Sequence, residues 1–134
     1  MSFRKCTRGC DAALEVILID RNEEEPEAIE KVLKDIDSEI TLLSFQRVAQ
    51  VQEYLEHNAA AIFLLEADDE ETGWEIPYRK IKSINEAAKV VLVSRNQAAA
   101  VKAFEAGVWD YLLKPVQKRQ LERVVRKARK HQGY

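Results

Sequence analysis

Five short, largely apolar runs, each followed by a stretch of helical periodicity, constrain this chain more than any other feature. Leu14 to Ile19 (LEVILI) is the first. A continuous apolar run of this length reads as a strand buried on both faces. Ile40 to Phe45, Ala61 to Leu65, Val90 to Val93 and Trp109 to Leu113 repeat the pattern. Between them the spacing changes. Ile29, Val32, Leu33 and Ile36 fall at i, i+3, i+4, i+7, and so predict a helix. Glu23, Glu24, Glu25 and Glu27 precede that stripe, where the helix dipole favours acids, and Pro26 is tolerated in a first turn. Val48, Val51 and Leu55 mark a second helix, and Trp74, Tyr78 and Ile81 a third, with Pro77 near its first turn. Ala98 to Ala106 predicts a fourth helix, closed by Gly107 as C-cap. Leu121, Val124, Val125 and Ala128 give the stripe of a fifth. Five alternations of strand and helix predict an α/β domain: a doubly wound parallel sheet with helices on both faces.

Composition narrows the class. The chain has 134 residues, 46% hydrophobic and 33% charged, which suits one globular core and excludes intrinsic disorder. No apolar run approaches the ~18 residues of a membrane span. Met1 to Cys10 is polar and basic without an apolar stretch, so no signal peptide is expected and the cytoplasm is the default compartment. Residues 1–13 are expected to be a mobile tail, 14–130 the domain, and 131–134 a C-terminal end. Two cysteines, Cys6 and Cys10, and two histidines, His57 and His131, cannot supply a disulfide framework or a multi-ligand zinc set. Charge is uneven. The net value is −2, yet Lys114 to Tyr134 holds eight basic residues and one acid, Glu122. That end reads as a solvated helix face or a docking surface for an acidic partner. Nucleic acid is the weaker option, because no aromatic or glycine residues are interleaved in the helix itself.

In a doubly wound sheet the functional crevice lies outside the carboxyl ends of the strands. The residues predicted there are Asp20 and Arg21 after the first strand, Glu66 after the third, Ser94 after the fourth and Lys114 after the fifth. Acids, a hydroxyl, a lysine and an arginine converge on one rim. Without a histidine or cysteine to act as base or nucleophile, this reads as an anion or metal-phosphate site and not as a hydrolytic triad.

These residues in this order resemble the receiver domain of two-component response regulators, from about Leu14 to Lys130. LID with Arg21, IFLL with Glu66, VVLV with Ser94, and above all AFEAGVWDYLLKP, with Tyr111, Lys114 and Pro115, carry the likeness. The resemblance implies a CheY-like, flavodoxin-like strand order of 2-1-3-4-5. It implies an aspartate phosphorylated by a histidine kinase with Mg²⁺, Tyr111 as switch aromatic, and a face of fourth helix, fifth strand and fifth helix that docks partners. Arg119, Arg123 and Lys127 are the candidate docking residues on that face. Its occupant is expected to be a protein partner or an output domain of the same polypeptide, with a homodimer left open.

The chain departs from the family where the chemistry sits. Glu66 stands at the phosphoacceptor position, and its extra carbon displaces the acceptor oxygen. Arg21 replaces a metal-ligating acid, and an arginine cannot ligate Mg²⁺. The span from Ser94 to Lys114 is two residues shorter than usual in the family. The expectation is therefore a pseudo-receiver: no enzyme, no bound metal or other cofactor, a phosphorylation-independent binding module. The alternative is a working phospho-receiver that uses Asp68 or an adapted site. Asp68 and Asp69, beyond the strand end, are expected in a solvated loop. Arg21 either turns to solvent or forks onto Glu66. Ser94 either lines the site or caps the fourth helix, and Tyr111 is read first as a core aromatic. Trp74 and Trp109 are expected to pack.

Overall fold

The computed structural model describes residues 14–20, 25–57, 62–68 and 73–131. Strands β1 (Glu15–Ile19), β2 (Thr41–Phe45), β3 (Ile62–Glu66), β4 (Val90–Ser94) and β5 (Asp110–Leu113) alternate with helices α1 (Glu25–Ile36), α2 (Val48–His57), α3 (Glu75–Ile84), α4 (Ala99–Ala106) and α5 (Lys118–His131). The strands form one sheet in the order β2-β1-β3-β4-β5, and every neighbouring pair is parallel. This is the doubly wound, flavodoxin-like architecture that the alternation predicts.

Strand side chains alternate between two cores, because successive residues point to opposite faces. Val16 and Leu18 of β1 join Ile62 and Leu64 of β3 and Val91 and Val93 of β4 under α1 and α5. Ile17, Ile19, Phe63, Leu65, Val90 and Leu92 pack on the other face, against Val51, Tyr78 and Ala103. Burying an apolar side chain of this size contributes roughly 1.5–3 kcal/mol. The central strands are apolar up to their last residues, Glu66 and Ser94, for that reason: β3 and β4 meet a helix layer on both sides. The edge strand β2 has no fully buried residue. Trp74 and Tyr78 stack edge-on with centroids 5.9 Å apart, and both are buried. Trp109 packs, half-buried, against the α1/α5 core.

Local sequence explains the ends of the elements. Pro26 and Pro77 sit in the first turns of α1 and α3, where a missing N–H costs little. Gly107 closes α4 with φ 97°, the left-handed conformation in which a side chain is strained. Two boundaries differ from the periodicity. Trp74 precedes α3 as its N-cap residue, so the helical spacing of Trp74 and Tyr78 begins outside the helix. Trp109 precedes β5, which starts at the buried Asp110.

Ion pairs tie α5 to the rest of the fold. Lys118 reaches Asp35 at 2.9 Å, and Arg129 pairs with Asp37 at the end of α1. The Glu39 amide and the Arg129 guanidinium together hold the Asp37 carboxyl below its ordinary range. Cys6, Cys10, Arg21, Asp69 and residues 132–134 lie outside the described residues, so the readings made on them rest on sequence.

Candidate functional site

Parallel strands bring their carboxyl ends to one edge, and the register aligns the candidates there. Leu18 of β1 pairs with Leu64 of β3, Glu66 with Val93 of β4, and Ser94 with Leu113 of β5. Asp20, Glu66, Ser94 and Lys114 thus stand at neighbouring strand ends. Asp20 is 6% exposed and Ser94 is 1% exposed, both unusual for polar groups. The Asp20 amide is fixed by the Phe45 carbonyl at 2.9 Å. The Lys114 amide is fixed by the Ser94 carbonyl at 2.8 Å, and the Lys114–Pro115 peptide bond is cis.

Lys114 is the hub. Its ammonium lies 3.3 Å from Glu66 Oε2 and 3.1 Å from Asp68 Oδ2, and all three side chains are at most 22% exposed. Glu66 Oε2 also accepts the Asp68 amide at 2.7 Å. Burial raises the Glu66 carboxyl above the ordinary glutamate value. The Asp68 amide and Lys114 oppose the rise, and the Asp20 charge adds to it.

Asp68 overturns the expectation of a solvated loop. Oδ1 accepts the Ser94 hydroxyl at 2.7 Å and the Arg95 amide at 3.0 Å. Oδ2 is 3.2 Å from the same amide and carries the Lys114 contact. Burial works to raise this carboxyl, but the Ser94 hydroxyl, the Arg95 amide and Lys114 outweigh it and hold Asp68 below the ordinary aspartate value. The chain turns just after β3 because the Asp68 amide bonds back to Glu66, and that turn aims the Asp68 carboxylate at the end of β4.

Ser94 does not cap α4, which begins at Ala99. Its Oγ instead accepts the Asn96 amide at 2.9 Å. Asn96 Oδ1 accepts the Ala98 amide at 2.9 Å, and the Asn96 carbonyl accepts the Tyr111 hydroxyl. Tyr111 is half-buried and packs against the α2/α3/α4 core. Tyr111 thus has both a packing contact and a polar tether. Sequence reasoning missed Asn96; the Asn-x-Ala spacing ahead of a helix, which closes an Asx turn, was the available signal.

The three candidate docking residues separate. Arg123 pairs with Asp110 at 3.1 Å, and Lys127 lies 3.9 Å from the same carboxylate. Lys127 also donates to the Trp109 carbonyl at 3.0 Å and sits 4.5 Å from the centre of the Trp109 ring. These two are therefore engaged within the chain and are not free rim charges. Arg119 is exposed and lines a groove of about 600 Å³ with Pro115, Gln117, Gln120, Arg123 and Arg126.

Known proteins share this fold. The family model described as response regulator receiver domain matches residues 16–126. No curated protein sequence matches. A response regulator receiver domain protein from Clostridium thermocellum superposes with a TM-score of 0.76 at 18% identity, covering 89% of this chain and 96% of that one. A CheY-like receiver domain protein from Methanospirillum hungatei gives 0.74 at 14% identity, with 90% and 97% covered. The receiver domain of a sensor histidine kinase from Pseudomonas aeruginosa, which holds a magnesium ion in its active-site cleft, gives 0.74 at 19% identity, with 89% and 99% covered. At these identities the structures establish a common fold, and the family match assigns the chain. With its strand-end acids, Ser94 and Lys114 on a 2-1-3-4-5 sheet, this chain belongs to the response regulator receiver domain family of two-component signalling.

Proposed function

We propose that this receiver domain is a phosphorylation-independent protein-binding module. One observation carries the reading: Lys114 bridges the Glu66 and Asp68 carboxylates, so both acids of the expected acceptor site are already engaged by a cation of the chain. A phosphoryl acceptor needs a carboxylate oxygen free for in-line attack and a cation for the transferring charge. Glu66 has its Oε2 engaged and its carboxyl raised. Asp68, the alternative acceptor, holds three donors, the Ser94 hydroxyl, the Arg95 amide and the Lys114 ammonium, and both of its oxygens are engaged.

The donor set also fits Mg²⁺ poorly. The metal takes oxygen ligands at ~2.0–2.1 Å in near-octahedral geometry. Among the described residues, no group of three or more His, Cys, Asp and Glu is placed to hold an ion. Arg21 follows Asp20 in sequence, so a guanidinium replaces an oxygen donor.

The docking face of this reading is that of α4, β5 and α5. It combines apolar and basic elements. Val101 and Phe104 of α4 are 68% and 53% exposed at i and i+3, and so lie on one side of the helix. The groove beside Arg119 and Arg126 supplies the charge. A protein with an acidic, partly apolar segment fits this pairing, either as a separate partner or as an output domain of the same polypeptide. Because Arg123 and Lys127 are paired internally, Arg119 and Arg126 are the residues to reverse when association rate and salt dependence are measured.

The test is incubation with acetyl phosphate and Mg²⁺, followed by intact-protein mass spectrometry. No phosphate adduct is expected. An adduct lost in Asp68→Asn would establish the alternative, a working phospho-receiver; one lost in Glu66→Gln would place the acceptor at Glu66.

A further inference from the structure

We propose that Asp68 is a latch made in cis: its carboxylate is the resident anion of the nest at the end of β4, and through Ser94 and Asn96 it fixes the position of Tyr111. The proposal rests on the phosphorylation-independent reading and names what holds the docking face.

The path is continuous. Ser94 Oγ has one proton; it is donated to Asp68 at 2.7 Å. That leaves the oxygen's lone pairs facing the chain, and one of them accepts the Asn96 amide at 2.9 Å. The Arg95 amide, between the two, is also committed to Asp68 at 3.0 Å. One amide and one hydroxyl thus converge on a single carboxylate, the next amide along the chain is held through that hydroxyl, and the turn from β4 to α4 takes its shape from this arrangement. Asn96 then presents its carbonyl to the Tyr111 hydroxyl and its side-chain oxygen to the Ala98 amide at the start of α4. The latch therefore reaches both the helix and the strand of the proposed docking face.

Tyr111 extends the coupling to α5. Its amide donates to Asp110 Oδ1 at 2.8 Å, and the same oxygen pairs with Arg123 at 3.1 Å. Lys114 anchors the other side of the latch at 3.1 Å from Asp68 Oδ2. Ser94 is 1% exposed, so water does not readily replace Asp68 as the acceptor of its hydroxyl. A carboxylate that binds a buried hydroxyl, a backbone amide and an ammonium is held more tightly than an aspartate in a solvated loop.

The coupling predicts that the nest recruits another carboxylate when the latch is cut. Asp68→Ala removes the carboxylate and leaves a space the size of formate. The experiment follows the Tyr111 ring resonances by NMR in the parent, Asp68→Ala and Ser94→Ala. Sodium formate is titrated to about 100 mM against sodium chloride at equal ionic strength, without Mg²⁺ or phosphodonor. Asp68→Ala is expected to shift the Tyr111 signals, and formate, not chloride, to return them towards the parent positions. Ser94→Ala is expected to shift them with no response to formate, and the parent to ignore formate. If Asp68→Ala does not fold, Asp68→Asn replaces it, with the same Tyr111 shift expected. Unchanged Tyr111 signals in both the Asp68 and the Ser94 variants overturn the latch, as does a formate response as large in the parent as in Asp68→Ala. The readout involves no phosphoryl transfer, so an adduct in the acetyl phosphate assay and a failed latch are separate results.

Discussion

Lys114, on the connection after β5, places its ammonium 3.3 Å from Glu66 at the end of β3, with β4 lying between the two strands. The same ammonium is 3.1 Å from Asp68, and no side chain of the three is more than 22% exposed. Removing one cation from such a group leaves two carboxylates beside Asp20 without compensation. Lys114→Met is therefore expected to destabilise the fold towards the lower end of the ~3–5 kcal/mol measured for breaking buried pairs. In a double-mutant cycle, Glu66→Gln should recover part of that loss, because the two residues are in contact. Urea unfolding checks both; a Lys114→Met midpoint equal to the parent's would show that the ion pair is screened by solvent.

Glu66 and Asp68 should impose opposite pH dependences. Glu66 is raised by burial from its ordinary value near 4.5, so the folded state binds its proton more tightly than the unfolded chain does. Stability attributable to Glu66 therefore falls as pH rises from about that value through its raised folded value. Asp68 is lowered from 3.8 despite its burial, so its contribution is present above that pH and is lost as pH falls through the folded value. Unfolding midpoints between about pH 3 and pH 7 should show Glu66→Gln gaining on the parent as pH rises through the acid range. The advantage of the parent over Asp68→Asn should shrink at the acid end. Parallel curves for all three proteins would contradict both assignments.

The internal pairing on α5 makes a separate prediction. Asp110 is 8% exposed and is compensated by Arg123 and Lys127. Lys127→Met should alter the emission of Trp109, whose ring the ammonium covers at 4.5 Å. The stability cost of that change is expected to be ~0.5–1 kcal/mol, since Lys127 is partly exposed. Changing Arg123 and Lys127 together to Ala should cost more than the two single changes combined, because only the pair leaves Asp110 uncompensated. Trp74 is buried elsewhere, so its signal serves as an internal reference.

The strands were legible from sequence because β1, β3 and β4 are buried on both faces, and a run such as Val90–Val93 has no other stable place to go. The strand-end location of Glu66, Ser94 and Lys114 follows from the same fact. Asp68 was not legible. Its neighbours Ala67 and Asp69 suggest a solvated loop, and its real partners, Ser94 and Arg95, lie 26 and 27 residues away. Nothing local signals that the chain turns back onto β4. The internal partner of Arg123 and Lys127 was not legible for a related reason: helical periodicity places both on an outward face, where they remain partly exposed, but does not show that Asp110 reaches that face from the neighbouring strand.

Placing aspartates at positions 21 and 66 is the most demanding test of the proposed phosphorylation-independent reading. Arg21→Asp with Glu66→Asp would set two shortened acids beside Asp20 in place of a guanidinium and a glutamate. Asp20 is buried at the strand end, so two of the three carboxylates would come from neighbouring parallel strands held in fixed register. Mg²⁺ suits such a cluster, keeping several waters on its remaining positions. The double variant is therefore expected to gain stability with added Mg²⁺, while the parent does not. At a concentration ten times the dissociation constant the gain is ~1.4 kcal/mol. Asp68 competes for the outcome, because it already holds Ser94 and Lys114 through Oδ1 and Oδ2. Mg²⁺ binding is thus expected to return before phosphorylation does, and acetyl phosphate should modify the double variant only when Asp68→Ala is added. Urea midpoints with and without 10 mM Mg²⁺, alongside intact mass after acetyl phosphate, separate the two steps. Equal midpoints in Mg²⁺ and its absence would mean that these positions do not converge on one site.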